Sequence, residues 1–142
     1  MDGGDCMEYR LAVPEDAALL CRFVDDQHTA YQEKDMAAFL KQENAKAFLA
    51  VDEVVIAFAY GCILHRPDGR KDFYLHAIDV AEGQQGRGYG TSLICFIDAW
   101  RKEAGCRKLF LITNKSNEKA CRCYGRAGGT APSDDDVVYV FE

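Results

Sequence analysis

At 142 residues the chain has the size of one domain and is long enough to bury a core. Hydrophobic residues make up 49% and charged residues 28%, which excludes a disordered chain. Seventeen basic against twenty-three acidic residues leave a net charge of -6, which argues against nucleic acid and suits a small cationic amine or a basic peptide.

No apolar run approaches the roughly 20 residues that span a bilayer. The opening MDGGDCMEYR lacks the apolar centre of a signal peptide, so the expectation is a cytoplasmic protein with no membrane partner. The cysteines at 6, 21, 62, 95, 106, 121 and 123 form no CxxC pair and are odd in number. They read as reduced, mostly buried thiols, with no metal expected.

Tyr9 to Val13 alternates as a strand, and Pro14-Glu15-Asp16 then places a proline and two acids where a helix opens. The helix is predicted to reach Gln27, with Ala17, Leu20, Phe23 and Val24 as its apolar side, and a second runs from Glu33 to Gln42. Ala47 to Val51 and Val54 to Leu64 read as strands joined by a tight turn at Asp52-Glu53. After the turn Arg66-Pro67-Asp68-Gly69, a strand from Phe73 to Val80 runs into a glycine loop.

The helix beyond that loop carries Leu93, Ile97, Trp100 and Ala104 on one face and ends at Gly105. Lys108 to Ile112 is a short strand, Asn117 to Ala127 a helix closed by Gly128-Gly129, and Val137 to Phe141 a last strand. The order is β-α-α-β-β-β-α-β-α-β, with no repeat or linker, and the whole of 1–142 reads as one domain.

The loop Gln84-Gln85-Gly86-Arg87-Gly88-Tyr89-Gly90 carries the most information. Three glycines at alternate positions let a backbone come close to a ligand, and the helix start behind them favours an anion such as a pyrophosphate. A P-loop needs lysine followed by serine or threonine, but Gly88 is followed by Tyr89. A GxGxxG dinucleotide fingerprint needs glycine where Thr91 stands, and its later acidic residue is missing at Ile112-Thr113-Asn114.

Gln85-Gly86-Arg87-Gly88-Tyr89-Gly90 instead resembles the acetyl-coenzyme A loop of the GNAT family of N-acetyltransferases: Gln or Arg, two residues, Gly, one residue, Gly or Ala. Ile78-Asp79-Val80 matches the Leu-x-Val-like triplet that precedes this loop in the family. Downstream, Asn117, Ala120 and Tyr124 have the family's Asn, Ala and Tyr spacing on a helix. The resemblance spans residues 8 to 142 and implies an α/β (α+β) GNAT fold. The family's sheet is central and mixed, mostly antiparallel, with six to seven strands splayed between strands 4 and 5 and about four flanking helices.

The resemblance implies acetyl-CoA as cosubstrate, with no metal, and direct transfer of the acetyl group to a primary amine in a ternary complex. Backbone groups of Ile78 and Val80 would pair with the pantetheine arm, and those from Gly86 to Thr91 would hold the pyrophosphate. Arg87 can add a phosphate contact or be solvated, and Asn117 can reach the pantetheine amide, cap its helix, or do both. Tyr124 is the family's acid for the departing thiolate.

For the base, period-two alternation places Tyr74, His76, Ile78 and Val80 on one face and Asp79 on the other, making His76 the candidate. Glu33, Asp79 or one of Asp134, Asp135 and Asp136 are the alternatives, and that acidic triplet can also border the acceptor as a binding rim or be a solvated loop. FYLHAIDV, TNKSN and DDDVVYVFE are similar to the aminoglycoside 3-N-acetyltransferase branch. Polyamines and peptide amines fit the acidic balance equally, and a non-catalytic acetyl-CoA sensor is the competing class. Cys123, beside Tyr124, is a further position to test, and an exposed final strand would suit a homodimer.

Overall fold

The computed structural model describes residues 6–24, 31–133 and 135–142. Among them, β1 (Glu8–Leu11), β2 (Ala45–Asp52), β3 (Val54–His65), β4 (Lys71–Val80) and β5 (Leu109–Phe110) form one sheet in chain order. The first three pairings are antiparallel, and β4 to β5 is parallel because the helix between them returns the chain to the same end. Helices α1 (Ala17–Val24) and α2 (Glu33–Leu40) cover one face of the sheet, with α3 (Tyr89–Glu103) and α4 (Glu118–Arg126) on the other. This is the predicted mixed, mostly antiparallel fold, with five strands among the described residues instead of six to seven. The expected run of α1 to Gln27 lies outside the described residues.

Strand β2 shows how the layers are held. Its alternate residues Phe48 and Ala50 join the cluster under α3, while Ala47 and Leu49 join the cluster under α1 and α2. On the α3 side, Trp100 meets the edges of Phe48 and Phe73 at centroid distances of 5.1 and 5.2 Å. Leu93 and Ile97 are fully buried there, as the predicted stripe requires. The fork of Arg107 on Asp72, at 3.1 Å for both contacts, ties the start of β4 to the segment before β5.

A polar pair closes the first turn. Asp16 is buried and receives Arg10 Nη1 and Nη2 at 2.8 and 3.0 Å and the Val13 N–H at 2.8 Å. The Arg10 hydrogen bonds hold its carboxyl below the usual carboxylate range. Because the folded pKa lies below the unfolded one, this stabilisation is complete above the unfolded value near pH 4 and fades as pH falls through the folded value. Asp16→Asn is expected to cost about 1–3 kcal/mol in urea unfolding at pH 7, and much less at pH 3.

The register between β3 and β4 overturns one expectation. Tyr60 pairs with Ala77 and Gly61 with Leu75, so His76 is an extra residue with no partner across the strand, a bulge. Gly61 sits where the strands pinch together: a Cβ there would lie 2.0 Å from the Tyr74 carbonyl oxygen. Beyond the bulge the alternation is reversed. Phe73 and Leu75 before it, and Ile78 and Val80 after it, all join the cluster under α3. His76 therefore does not share a face with Ile78 and Val80. It lies across the sheet with Tyr74, on the face that Asp79 also takes, opposite Phe58 of the α1–α2 cluster.

Strands β4 and β5 separate early, as the resemblance implies. They pair only at Phe73–Leu109 and Tyr74–Phe110, two residues where a strand from Lys108 to Ile112 was predicted. Past Tyr74 the free edge of β4 faces the gap that α4 overhangs. The predicted last strand is not formed: Val137 to Phe141 have no regular structure and are 67% to 95% exposed. Alternation and β-branching show that a segment suits a pleated surface, but a strand also needs a partner edge, which local sequence does not specify.

Candidate functional site

The gap between β4 and α4 opens into a cleft of about 490 Å³. Its walls are Ile78 to Val80 at the end of β4, the loop and first turn of α3 from Gln84 to Thr91, and one side of α4 from Asn117 to Arg126. Of the residues expected to hold a donor, Ile78, Val80, Gln85, Gly86, Gly88, Tyr89, Gly90, Thr91 and Asn117 all line it, and so does Tyr124. Arg87 is exposed and is not part of the wall.

The loop has the geometry of an anion cradle. Gly86 and Gly88 take φ values of 81° and 87°, which a side chain would resist, and Gly88 is the N-cap of α3. The first bond of the helix is Ser92 N–H to the Gly88 carbonyl at 3.0 Å. The N–H groups of Tyr89, Gly90 and Thr91 precede it and have no acceptor within the helix, which leaves them for a ligand. Gln85, the first residue of the motif, fixes the loop's position, because its Nε2 donates to the Val80 carbonyl at 3.3 Å and ties the loop to the end of β4.

Across the cleft, α4 supplies cations that the motif-based reading passed over. Lys119, Arg122 and Arg126 all line the wall, and their spacing of three and four residues along a helix is the signal that would have found them. Three cations facing the start of α3, in a chain of net charge -6, make this a place for a polyanion. The Asn117 side chain accepts the Ala120 N–H at 3.2 Å, so it caps α4 while also lining the cleft. Thr91 Oγ1 donates to Cys123 Sγ at 3.5 Å, joining α3 to α4.

Tyr124 is half-buried on the wall, and burial, ahead of the nearby Cys123, Cys121 and Asp79, holds its phenol above the ordinary tyrosine value. It stays protonated at neutral pH. Asp79 also lines the cleft, where it is exposed, and the desolvation it does undergo lifts its carboxyl above the usual carboxylate range. Its charge raises both Tyr124 and Tyr60, which puts it between the cleft and the α1–α2 face.

His76 does not belong to this wall. Its ring lies 5.6 Å from that of Tyr74 and 5.4 Å from that of Tyr60, on the other side of the sheet from Ile78 and Val80, because the bulge occurs at His76 itself. Asp135 and Asp136 are exposed and line neither this cleft nor a second, apolar hollow under α2, and Asp134 lies outside the described residues. With 137–141 unpaired, no sheet edge holds the acidic turn against the site. Glu33, at the start of α2, is exposed and also absent from the wall. Among the described residues no group of three His, Cys, Asp or Glu comes together as a metal site, and no helix is long and apolar enough to cross a membrane.

Comparison with known proteins agrees with this geometry. The aminoglycoside acetyltransferase meta-AAC0020, from an uncultured soil metagenomic sample and solved in complex with sisomicin, superposes with a TM-score of 0.86 at 17% identity, covering 99% of this chain and 98% of that one. The aminoglycoside N-acetyltransferase AAC(6')-Iy in complex with CoA gives 0.80 at 20% identity over 96% and 94% of the two chains. The ribosomal-protein-alanine N-acetyltransferase of Brucella melitensis biovar Abortus 2308 gives 0.78 at 21% identity over 96% and 99%. These likenesses establish a shared fold. In sequence, the chain is 29% identical over 90 residues to the uncharacterized N-acetyltransferase YobR of Bacillus subtilis (strain 168), a match of 63% of this chain that spans 32% of that relative's length. Residues 15–129, most of the length, match the Acetyltransferase (GNAT) family, and the chain belongs to that family.

Proposed function

We propose that the chain transfers an acetyl group from acetyl-CoA to a primary amine by direct attack in a ternary complex, with Asp79 as base and Tyr124 as acid. The observation that carries this reading is the placement of both groups on one cleft, whose floor is an anion cradle and whose far wall bears three cations. The cradle and Lys119, Arg122 and Arg126 suit the phosphates of coenzyme A, and the free edge of β4 at Ile78 and Val80 suits its pantetheine amides. Acetyl-CoA supplies the activated thioester.

Asp79 takes a proton from the ammonium and releases it to solvent, and the freed nitrogen lone pair forms the C–N bond. As the C–S bond breaks, Tyr124 gives its proton to the departing sulfur. The second nitrogen proton, lost as the amide forms, restores the phenol, so one proton is released for each ammonium converted. His76 is set aside as base because it lies off the wall, and the lifted carboxyl of Asp79 brings its proton affinity closer to working pH. Of the acceptors considered, an aminoglycoside is the one the neighbours' names favour, at identities that speak only for fold.

Release of free thiol from acetyl-CoA in the presence of amines tests the activity. Tight acetyl-CoA binding with no thiol release from any amine would favour a sensor. For the acid, Tyr124→Phe is expected to lower kcat about 100-fold with little change in acetyl-CoA affinity. An unchanged kcat would remove Tyr124 from that role.

A further inference from the structure

A second hollow, of about 200 Å³, lies on the opposite face of the sheet between α2 and β3. It is lined by Tyr31, Asp35, Met36, Phe39, Phe58 and Tyr60. Five of these six side chains are apolar or aromatic, and the rings are locked in place: Phe39 meets the edge of Tyr60 at 5.5 Å, and Phe58 lies 5.7 Å from Tyr60. The hollow and the donor cleft are joined by a single cross-strand pair, because Phe58 on the hollow stands directly opposite Asp79 on the cleft. Asp79 therefore stands beside Phe58 on the face of the sheet where Tyr60 also packs.

We infer that this hollow is the acceptor's specificity pocket and that the acceptor is a monoamine bearing one aromatic or comparable apolar group, an arylalkylamine, not a polyamino sugar. The inference rests on the acetyltransferase reading and narrows its substrate. The lining carries it. A cavity of about 150 Å³ lined by apolar side chains accepts benzene, so a hollow of about 200 Å³ has room for one substituted ring. Among the described residues the lining is mostly ring and thioether surface, so the hydroxyls and extra ammonium groups of an aminoglycoside would be left unpaired against Phe39, Phe58 and Met36. Asp79, across the strand pair from Phe58, would take the reacting nitrogen, and the carboxylate of Asp35 on the hollow adds to the attraction for a cation. Tyr60 and the other rings favour an aromatic partner by edge and face contacts.

The test compares 2-phenylethylamine, propylamine, spermidine and sisomicin as acceptors with the full chain and acetyl-CoA, read by thiol release. Phenylethylamine is expected to exceed propylamine in kcat/KM by about 10-fold to 100-fold, the range for burying one ring, and to exceed spermidine and sisomicin as well. A preference for sisomicin or spermidine, or equal values for phenylethylamine and propylamine, would overturn the inference. Phe39→Ala should raise KM for phenylethylamine about 10-fold and leave propylamine unchanged. Phe39→Leu, which keeps the packing of α2, should give an intermediate KM, and no change in either variant counts against the pocket. Should no amine release thiol, calorimetric binding of phenylethylamine to the CoA-bound chain, weakened by Phe39→Leu, would support the pocket while the transfer reading fails. Absence of that binding would overturn the pocket.

Discussion

Asp79→Asn will lower kcat by roughly 100- to 10,000-fold, the range of a lost general base, while acetyl-CoA affinity changes little. The two ends of the side chain's environment explain the split. Asp79 contributes only one of many residues to the donor wall, and the cradle and the α4 cations are untouched by the change. Its removal leaves an amine that stays protonated at neutral pH, where an alkylammonium has a pKa of about 10. In the native enzyme the acidic limb of kcat/KM should report a group above the ordinary carboxylate value near 4, because desolvation raises it. That limb should vanish in the variant.

The same substitution has a stability signature with the opposite sign from the loss of activity. A carboxyl whose folded pKa is raised binds its proton more tightly in the native state, so stability falls as pH climbs from the unfolded to the folded value and stays lower above it. Asparagine carries no such cost, and Asp79→Asn should be slightly more stable than the parent at pH 7 but not at pH 3. Thermal unfolding at the two pH values checks this. A variant that lost activity through misfolding would show the reverse. Conversely, an active Asp79→Asn with an unchanged acidic limb would move the base elsewhere.

Gly61→Ala will destabilise the fold by about 3 kcal/mol or more, seen as a lower urea midpoint with an unchanged slope. The atoms a Cβ would strike, the Tyr74 carbonyl at 2.0 and 2.9 Å and the Leu75 Cα at 3.0 Å, are all backbone, so no rotamer change relieves them. Relief requires β3 and β4 to part at the bulge. Since that bulge sets which face Ile78, Asp79 and Val80 present, acetyl-CoA binding should weaken together with stability. His76→Ala supplies the contrast: it keeps the extra residue and removes only the imidazole. Near-parent stability and less than about 10-fold loss of kcat are expected, and a larger loss would return His76 to the proton transfer.

Most of the donor site is legible in the sequence. The glycine loop, the helix start at Gly88, the Asn117 cap and Tyr124 two turns along α4 are set by residues within a few positions of each other, and all of them meet on the cleft. Capping and left-handed glycine geometry are short-range, so a local motif carries them. The cations Lys119, Arg122 and Arg126 are equally local, but their helical spacing gains meaning only when set against the loop's need for a counter-charge.

The acceptor half behaves differently. Alternation alone places His76 beside Ile78 and Val80 and turns Asp79 away; one unpaired residue reverses the first assignment and leaves the second, so that His76 and Asp79 share a face. A bulge is decided between two strands, here by Gly61 pressing against Tyr74 from the neighbouring strand, and nothing in Phe73 to Val80 by itself announces it. The segment Val137 to Phe141 has the composition of a strand, yet it is exposed because pairing depends on an available edge.

From sequence alone come the motifs of the cleft and the order of elements as far as α4, because hydrogen-bond caps, turn geometry and hydrophobic period act over a few residues. Only the tertiary structure decides which face His76 and Asp79 take and which aromatic rings line the hollow beside α2, because both depend on the register of strands that are distant along the chain.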